Sequence, residues 1–158
     1  MYPVYIISKG RYDCALTAIN FEKAGIDYLI AVEPQEYELY CNSLGKHRVL
    51  KLPFANLGLG SYPARNFCWE HAKALGHKYH FLFDDNIQNF AKWINGKRKK
   101  WTEIKTALLY VEQNANKTNV DISGFEEPNF VVKVPKVPFK YNCHVYSAML
   151  IKCNLPYR

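Results

Sequence analysis

The run Tyr79-His-Phe-Leu-Phe-Asp-Asp-Asn-Ile87 constrains the fold more than any other stretch. Phe81-Leu82-Phe83 is continuously apolar, where a strand with one wet face would alternate. It therefore predicts a central strand, covered on both sides, in a largely parallel sheet. The strand then stops at Asp84-Asp85-Asn86. Two adjacent carboxylates behind a buried strand repel each other and are costly to desolvate unless a cation or hydrogen-bond donors compensate. Alone they fit either a solvated turn or a site. As hard oxygen donors they suit Mg²⁺ or Mn²⁺, with a diphosphate supplying further oxygens.

The preceding stretch favours the site. Gly60 to Gly76 reads as a helix: Ser61 can cap, Pro63 suits the first turn, Ala64, Phe67, Cys68, Ala72 and Leu75 recur at helical spacing, and Gly76 terminates. Arg65 and Asn66 then lie in the first turn. Free backbone N–H groups and the helix dipole favour an anion there, and a guanidinium adds bidentate capture. Ligands of open α/β sheets lie at the carboxyl ends of strands, so Arg65 beside Asp84 and Asp85 predicts a berth for metal-bound phosphate.

Upstream, the chain repeats strand and helix. Val4 to Ser8 is a predicted strand; Lys9-Gly-Arg-Tyr12 turns into a helix that Asp13 can cap, that carries Leu16, Ile19 and Ala24 inward, and that stops at Gly25. Lys9 and Arg11 fit a phosphate or nucleotide rim, or a solvated turn. Tyr28 to Val32 is a second strand, and Pro34 opens a helix through about Leu44 that Gly45 closes. Glu33 between them could bond a ribose or base, or serve as a dipole-stabilised acid at the helix start. Arg48 to Leu52 is a third strand. Three such units argue for α/β layers with right-handed crossovers. No full G-x-G-x-x-G or Walker A pattern is present, which weighs against dinucleotide and P-loop enzymes.

Downstream, Gly96-Lys-Arg-Lys-Lys100 reads as a compact cationic loop between helices, either solvated or touching a polyanion, with Trp93 and Trp101 offering stacking surfaces. Thr102 can cap a helix carrying Ile104, Leu108, Leu109 and Val111 to about Asn116. The runs 121–125, 130–134 and 144–151 read as strands, joined by Pro128, Pro135 and Pro138, which argues for an antiparallel extension. His144 is a strand residue in this reading and a weak ligand candidate.

Four segments in this order carry a resemblance: Ser8-Lys-Gly-Arg11, Val32-Glu-Pro-Gln-Glu-Tyr37, Ala64-Arg-Asn-Phe-Cys-Trp69 and Phe83-Asp-Asp-Asn-Ile87. Together they resemble the nucleotide-sugar half of a GT-A glycosyltransferase, and more narrowly the TET-associated glycosyltransferase family of bacteriophages. The resemblance implies an α/β, GT-A (Rossmann-like), mostly parallel sheet flanked by helices, with a small antiparallel C-terminal extension. It implies metal-dependent transfer of a sugar from a nucleotide-sugar, UDP-linked, to a hydroxymethylated pyrimidine in phage DNA, in the cytoplasm of an infected cell. Carried over by position, Asp84-Asp85-Asn86 would be the D-x-D counterpart, with Asp84 near the ribose and Asp85 or Asn86 on a Mn²⁺ or Mg²⁺ ion. Arg65 would face the diphosphate, and Ser8, Arg11 and Glu33 would rim the nucleoside. Asn86 departs from the usual Asp.

In that family an acidic acceptor base follows a strand like Tyr146 to Ile151. The chain has no such later segment before Arg158. The expectation is one truncated domain, with 1–95 as the nucleotide-sugar half and 96–158 as the start of the acceptor half, binding donor but transferring little. At 158 residues, one domain fits the length. Net charge is +7, which favours polyanionic partners. Five cysteines, odd in number and without a C-x-x-C pair, suit a reduced cytosolic setting. No stretch approaches a membrane span. Two other classes fit part of the sequence: a non-catalytic nucleic-acid-binding module with a steep salt dependence, and a nucleotidyltransferase preferring free nucleoside triphosphate.

Overall fold

The computed structural model describes residues 1–131, 134, 137 and 139–156. Strands β1 (Val4–Ile7), β2 (Leu29–Val32), β3 (Val49–Lys51) and β4 (Tyr79–Asp84) run parallel in the order β3-β2-β1-β4. The sheet continues through β8 (Ala148–Lys152), antiparallel to β4, to β7 (Ile122–Gly124), antiparallel to β8. This is the mostly parallel sheet with an antiparallel extension that the sequence predicts.

Both faces of the sheet are covered, which is why its strands are apolar on both sides. Val4, Ile6, Ile30, Val32, Phe81 and Phe83 point into one core beneath α1 (Leu16–Lys23), α2 (Tyr37–Leu44) and α4 (Ile104–Thr118). Tyr5, Ile7, Ala31 and Leu82 point into a second core under α3 (Tyr62–Ala74) with Cys68 and Ala72. Phe81 and Phe83 are fully enclosed and Leu82 is 1 % exposed, as their unbroken run requires. Gly76, at φ 77°, makes the left-handed turn that ends α3 and feeds β4. Among the described residues no helix is long and apolar enough to cross a membrane.

The helix details differ from expectation. α1 starts at Leu16 with no side-chain cap, so Asp13 lies outside it, and its buried residues are Thr17, Ala18 and Phe21. Leu16 is exposed, and Ile19 and Ala24 are half-buried, because the bulky Phe21 sets the inward face against Phe83 and Phe90. The stretch after Pro34 begins as a 3₁₀ turn, Pro34–Glu36, before α2. Ser61 occupies the N-cap position of α3 but its hydroxyl accepts from Arg65 Nε at 3.1 Å instead of capping. Glu103, not Thr102, stands at the start of α4. Leu75 is exposed just past α3, and Leu109 is half-buried.

Larger differences lie after β4. The cationic stretch is a hairpin, not a loop between helices: β5 (Ala91–Ile94) pairs with β6 (Lys97–Lys100) around Asn95-Gly96. Asn95 and Gly96 have φ of 50° and 74°, the left-handed pair of a type I′ turn, which matches the strand twist. Of the three later strands expected, two are seen among the described residues. Phe130 belongs to a 3₁₀ turn, Pro128–Phe130, Val131 and Val134 lie outside any element, and Val132 and Lys133 lie outside the described residues. Pro135 and Pro138 also lie outside them. Residues 144–147, including exposed His144, precede β8 rather than extend it.

Candidate active site

β1 and β4 are neighbours although α1, β2, α2, β3 and α3 separate them in sequence, so the sheet order reverses between them. Register aligns Ile7 with Asp84. The residues leaving both strands, Ser8 and Asp85, therefore meet at the switch point where open α/β sheets take their ligands.

Each carboxylate is held by an arginine from a different flank. Arg65, in the first turn of α3, places Nη2 2.5 Å from Asp84 Oδ1. Arg11, in the turn after β1, pairs through Nη1 with Asp85 Oδ1. Asp85 Oδ2 accepts from Ser8 Oγ at 2.6 Å, and Ser8 Oγ also lies 2.6 Å from Tyr40 Oη on α2. Tyr40 Oη in turn accepts from the Arg11 backbone N–H at 3.0 Å. Burial pushes the Tyr40 hydroxyl above its ordinary pKa, so it stays protonated in this network.

The paired acids thus differ in environment. Asp85 is only 6 % exposed and both of its oxygens are engaged. The Asp84 side chain is 31 % exposed. Asn86 is exposed and faces away toward a wider groove. Ser8, Arg11, Arg65, Asp84 and Asp85 come together. Glu33 stands apart from them, one strand over, where Lys9 Nζ lies 2.6 Å from Oε2, Gln35 Nε2 donates at 2.7 Å and the Asn56 backbone N–H donates to Oε1 at 3.1 Å. The lysine contact, with help from those donors, holds its carboxyl below the usual range.

Further residues fix this tip. Thr17 Oγ1 donates to the Asp84 carbonyl at 2.6 Å and accepts from the Ile87 N–H at 2.9 Å, while its own N–H reaches the Asp85 carbonyl at 3.0 Å. α1 therefore latches the loop behind the acids. Glu36 accepts the Gly10 N–H at 2.9 Å and 3.1 Å, setting the turn that carries Arg11. Thr17, Glu36 and Tyr40 carry no sequence signal, because a helical threonine, an acid at a helix start and a core tyrosine have ordinary structural explanations.

Two cavities open here. One, about 510 Å³, is lined by Tyr62, Arg65, Asp84, Glu127, Tyr146 and Ser147 among others. Arg65 lines it, and among the described residues its Nη1 is buried with no hydrogen-bond partner, so the guanidinium has donor capacity left that a small shift would bring to an anion. The other, about 1010 Å³, runs between the hairpin, α4 and the segment before β8, past Asn86, Trp93, Trp101 and Tyr110. The tryptophans are not open platforms: Arg98 lies over Trp93 at 5.5 Å and Lys92 over Trp101 at 5.1 Å. Glu127, Val145 and Ser147 line both cavities, so the two meet there. Glu127 Oε1 accepts from Ser147 Oγ at 2.9 Å.

Among the described residues no three His, Cys, Asp or Glu side chains converge as a self-sufficient metal cage. Magnesium sites that share a substrate phosphate need only one or two carboxylates, so a cation completed by a diphosphate fits this tip. Of the two adjacent acids, Asp84 is the one with carboxylate surface left to offer.

A model of the family described as TET-Associated Glycosyltransferase matches residues 2–158. No curated protein and no solved structure matches the chain.

Proposed function

The chain belongs to the TET-associated glycosyltransferase family and is a glycosyltransferase, and from that premise we propose that the tip of β4 takes the diphosphate of a UDP-sugar together with Mn²⁺ or Mg²⁺. One observation carries this reading: two arginines from opposite flanks clasp two adjacent carboxylates at the switch point, beside a cavity that Arg65 and Asp84 line. Ser8 and Arg11, anchored on Asp85, form the nucleoside side, with Glu33 further along that rim. Asp84 and Arg65 form the diphosphate side, and Asp84 is the cation ligand. Bound there, a divalent cation supplies charge neutralisation for the departing diphosphate.

The acceptor is a hydroxymethylated pyrimidine in DNA, a reading supported by the family membership and the net charge of +7. It enters through the larger groove. Its hydroxyl oxygen bonds to the anomeric carbon, the bond from that carbon to the diphosphate breaks, and the hydroxyl proton passes to a base. Glu127, common to both cavities, is that base. Arg65 holds the negative charge of the leaving group.

Calorimetry with UDP, a panel of UDP-sugars and UTP, with Mn²⁺ or with EDTA, tests the donor site. UDP and UDP-sugars bind in Mn²⁺ and at least tenfold more weakly in EDTA. A preference for UTP would indicate a nucleotidyltransferase instead, and UDP binding indifferent to both metal and Arg65→Ala would end the donor reading. Mass spectrometry of hydroxymethylated DNA after incubation with donor reads the transfer. Glu127→Gln removes that signal while UDP affinity holds, and a Glu127→Gln variant that still transfers sugar refutes its role.

A further inference from the structure

We propose that the β5–β6 hairpin is a DNA-backbone contact, in which Lys97, Lys99 and Lys100 hold phosphates of the acceptor without reading sequence. This rests on the reading of DNA as acceptor and adds where the strand is gripped.

From Asn86 to Thr102 the chain carries five cations and no acid, out of 21 Lys and Arg in the whole sequence. The pairing sorts them onto faces. Trp93 opposes Arg98 and Ala91 opposes Lys100 on one side; Lys92 opposes Lys99 and Ile94 opposes Lys97 on the other. Arg98 is used internally: its Nη2 donates to the Pro128 carbonyl at 3.1 Å and the Val131 carbonyl at 2.5 Å, and the guanidinium covers Trp93. Lys92 leans on Trp101 and lies 3.6 Å from Glu103. Lys97, Lys99 and Lys100 are exposed, and their ammonium groups have no ion pair or hydrogen bond among the described residues.

This is an unfavourable way to build a ribbon. An isolated two-stranded hairpin is marginal in water, and the directly opposed Lys92 and Lys99 repel. Among the described residues nothing compensates three of its cations, whereas a polyanion would. Lysines two apart on a strand are separated by roughly 6.6 Å, close to the spacing of successive phosphates, so Lys97 and Lys99 can address neighbouring groups. A two-stranded ribbon is also narrow enough to enter a major groove. Ala91, Trp93 and Arg98 on one face of the hairpin line the groove that meets the sugar-donor cavity at Glu127; Lys100 shares that face and Lys97 and Lys99 stand on the other, so the lysines grip a duplex around the ribbon's outer edge, at the rim of the groove.

Fluorescence anisotropy with a hydroxymethylated duplex and its unmodified counterpart, between about 50 and 200 mM salt, tests the grip. The triple variant Lys97→Gln, Lys99→Gln, Lys100→Gln is expected to weaken both duplexes about equally, by ten- to a hundredfold at low salt. Its salt slope should be shallower by about 3, one ion release for each lost contact. The triple arginine variant should keep the wild-type slope. UDP affinity and melting temperature are read in parallel and should not move. A glutamine variant with the wild-type slope overturns the hairpin contact and leaves the DNA acceptor standing. Wild-type protein that binds neither duplex overturns both, and the UDP titration then judges the donor site separately.

Discussion

Asp84 and Asp85 are chemically identical neighbours that the fold treats in opposite ways, and that difference is measurable. Asp85 is enclosed and joins Ser8 and Arg11, whereas Asp84 stands at the cavity mouth. Asp85→Ala should lower stability by about 1–3 kcal/mol, the usual cost of stranding buried hydrogen-bond partners, and should weaken UDP as well. Asp84→Ala, which removes one contact from Arg65 but no enclosed carboxylate, should cost less stability than Asp85→Ala and weaken UDP in Mn²⁺ by tenfold or more. Melting and calorimetry on both variants check the split, and equal effects on stability would refute it. His80 gives a second residue-scale prediction. It is fully enclosed on β4, with Nδ1 3.4 Å from Cys153 Sγ, Nε2 without a partner among the described residues, and Tyr5 edge-on to its ring. Burial pushes its pKa down to about 4. Because the folded pKa lies below the unfolded value near 6.5, the unfolded chain binds the proton first, and stability falls as pH drops from about 6.5 toward 4, by about 3 kcal/mol in all. His71, also lowered by burial and bonded to Tyr5 Oη at 2.8 Å, adds in the same direction. Denaturant melts at stepped pH should show this slope, reduced in His80→Leu; an unchanged slope in that variant would exclude His80 as its source.

At the scale of elements, sequence patterns succeeded where burial dictated them. The all-apolar Phe81 to Phe83 could only be a strand covered twice, and the strand-helix repeats before it left little choice of topology. The amphipathic phase of α1 was harder to read, since Leu16 and Ile19 look like a core pair and only tertiary contact reveals that Phe21 sets the face. The hairpin was legible in Asn95-Gly96, the strongest short signal for a type I′ turn, but four consecutive cations suit a solvated loop as well as a strand. Residues 144–147 alternate like a strand, yet β8 begins only at Ala148, where β4 and β7 offer partners. The junction of β7 and β8 has no such latitude. A Cβ at Gly124 would stand 2.2 Å from the Ala148 carbonyl oxygen and 2.5 Å from Val145 Cγ1, and backbone cannot yield cheaply. Gly124→Ala should cost about 1–3 kcal/mol by overpacking. It should also disturb UDP binding, because Val145 and Ser147 line the donor cavity. A variant with unchanged melting temperature would contradict that close approach.

Across the whole molecule, the candidate site is assembled from the β1–α1 turn, α2, α3 and β4, with α1 locking the loop behind it. The carboxylates and arginines were legible because their chemistry shows in the residue type; Thr17, Glu36 and Tyr40 were not, because their roles exist only once separate elements meet. Such a site disappears whenever any one of those elements unfolds, so ligand binding is linked to global stability. At a UDP concentration about a hundredfold above its Kd, linkage contributes about 2.7 kcal/mol. For a chain of this length each kcal/mol moves the melting temperature by roughly 2–4 °C, so UDP with Mn²⁺ should raise it by about 5–10 °C. Mn²⁺ alone should raise it little, since among the described residues no three acid, His or Cys groups converge to hold a cation without phosphate. UDP in EDTA should fall well short of the full shift, and Asp84→Ala should reduce it at equal ligand concentration. A shift of full size in EDTA would show that the diphosphate is held by Arg65 and Arg11 without a cation, and a large shift with Mn²⁺ alone would require a metal site elsewhere in the chain.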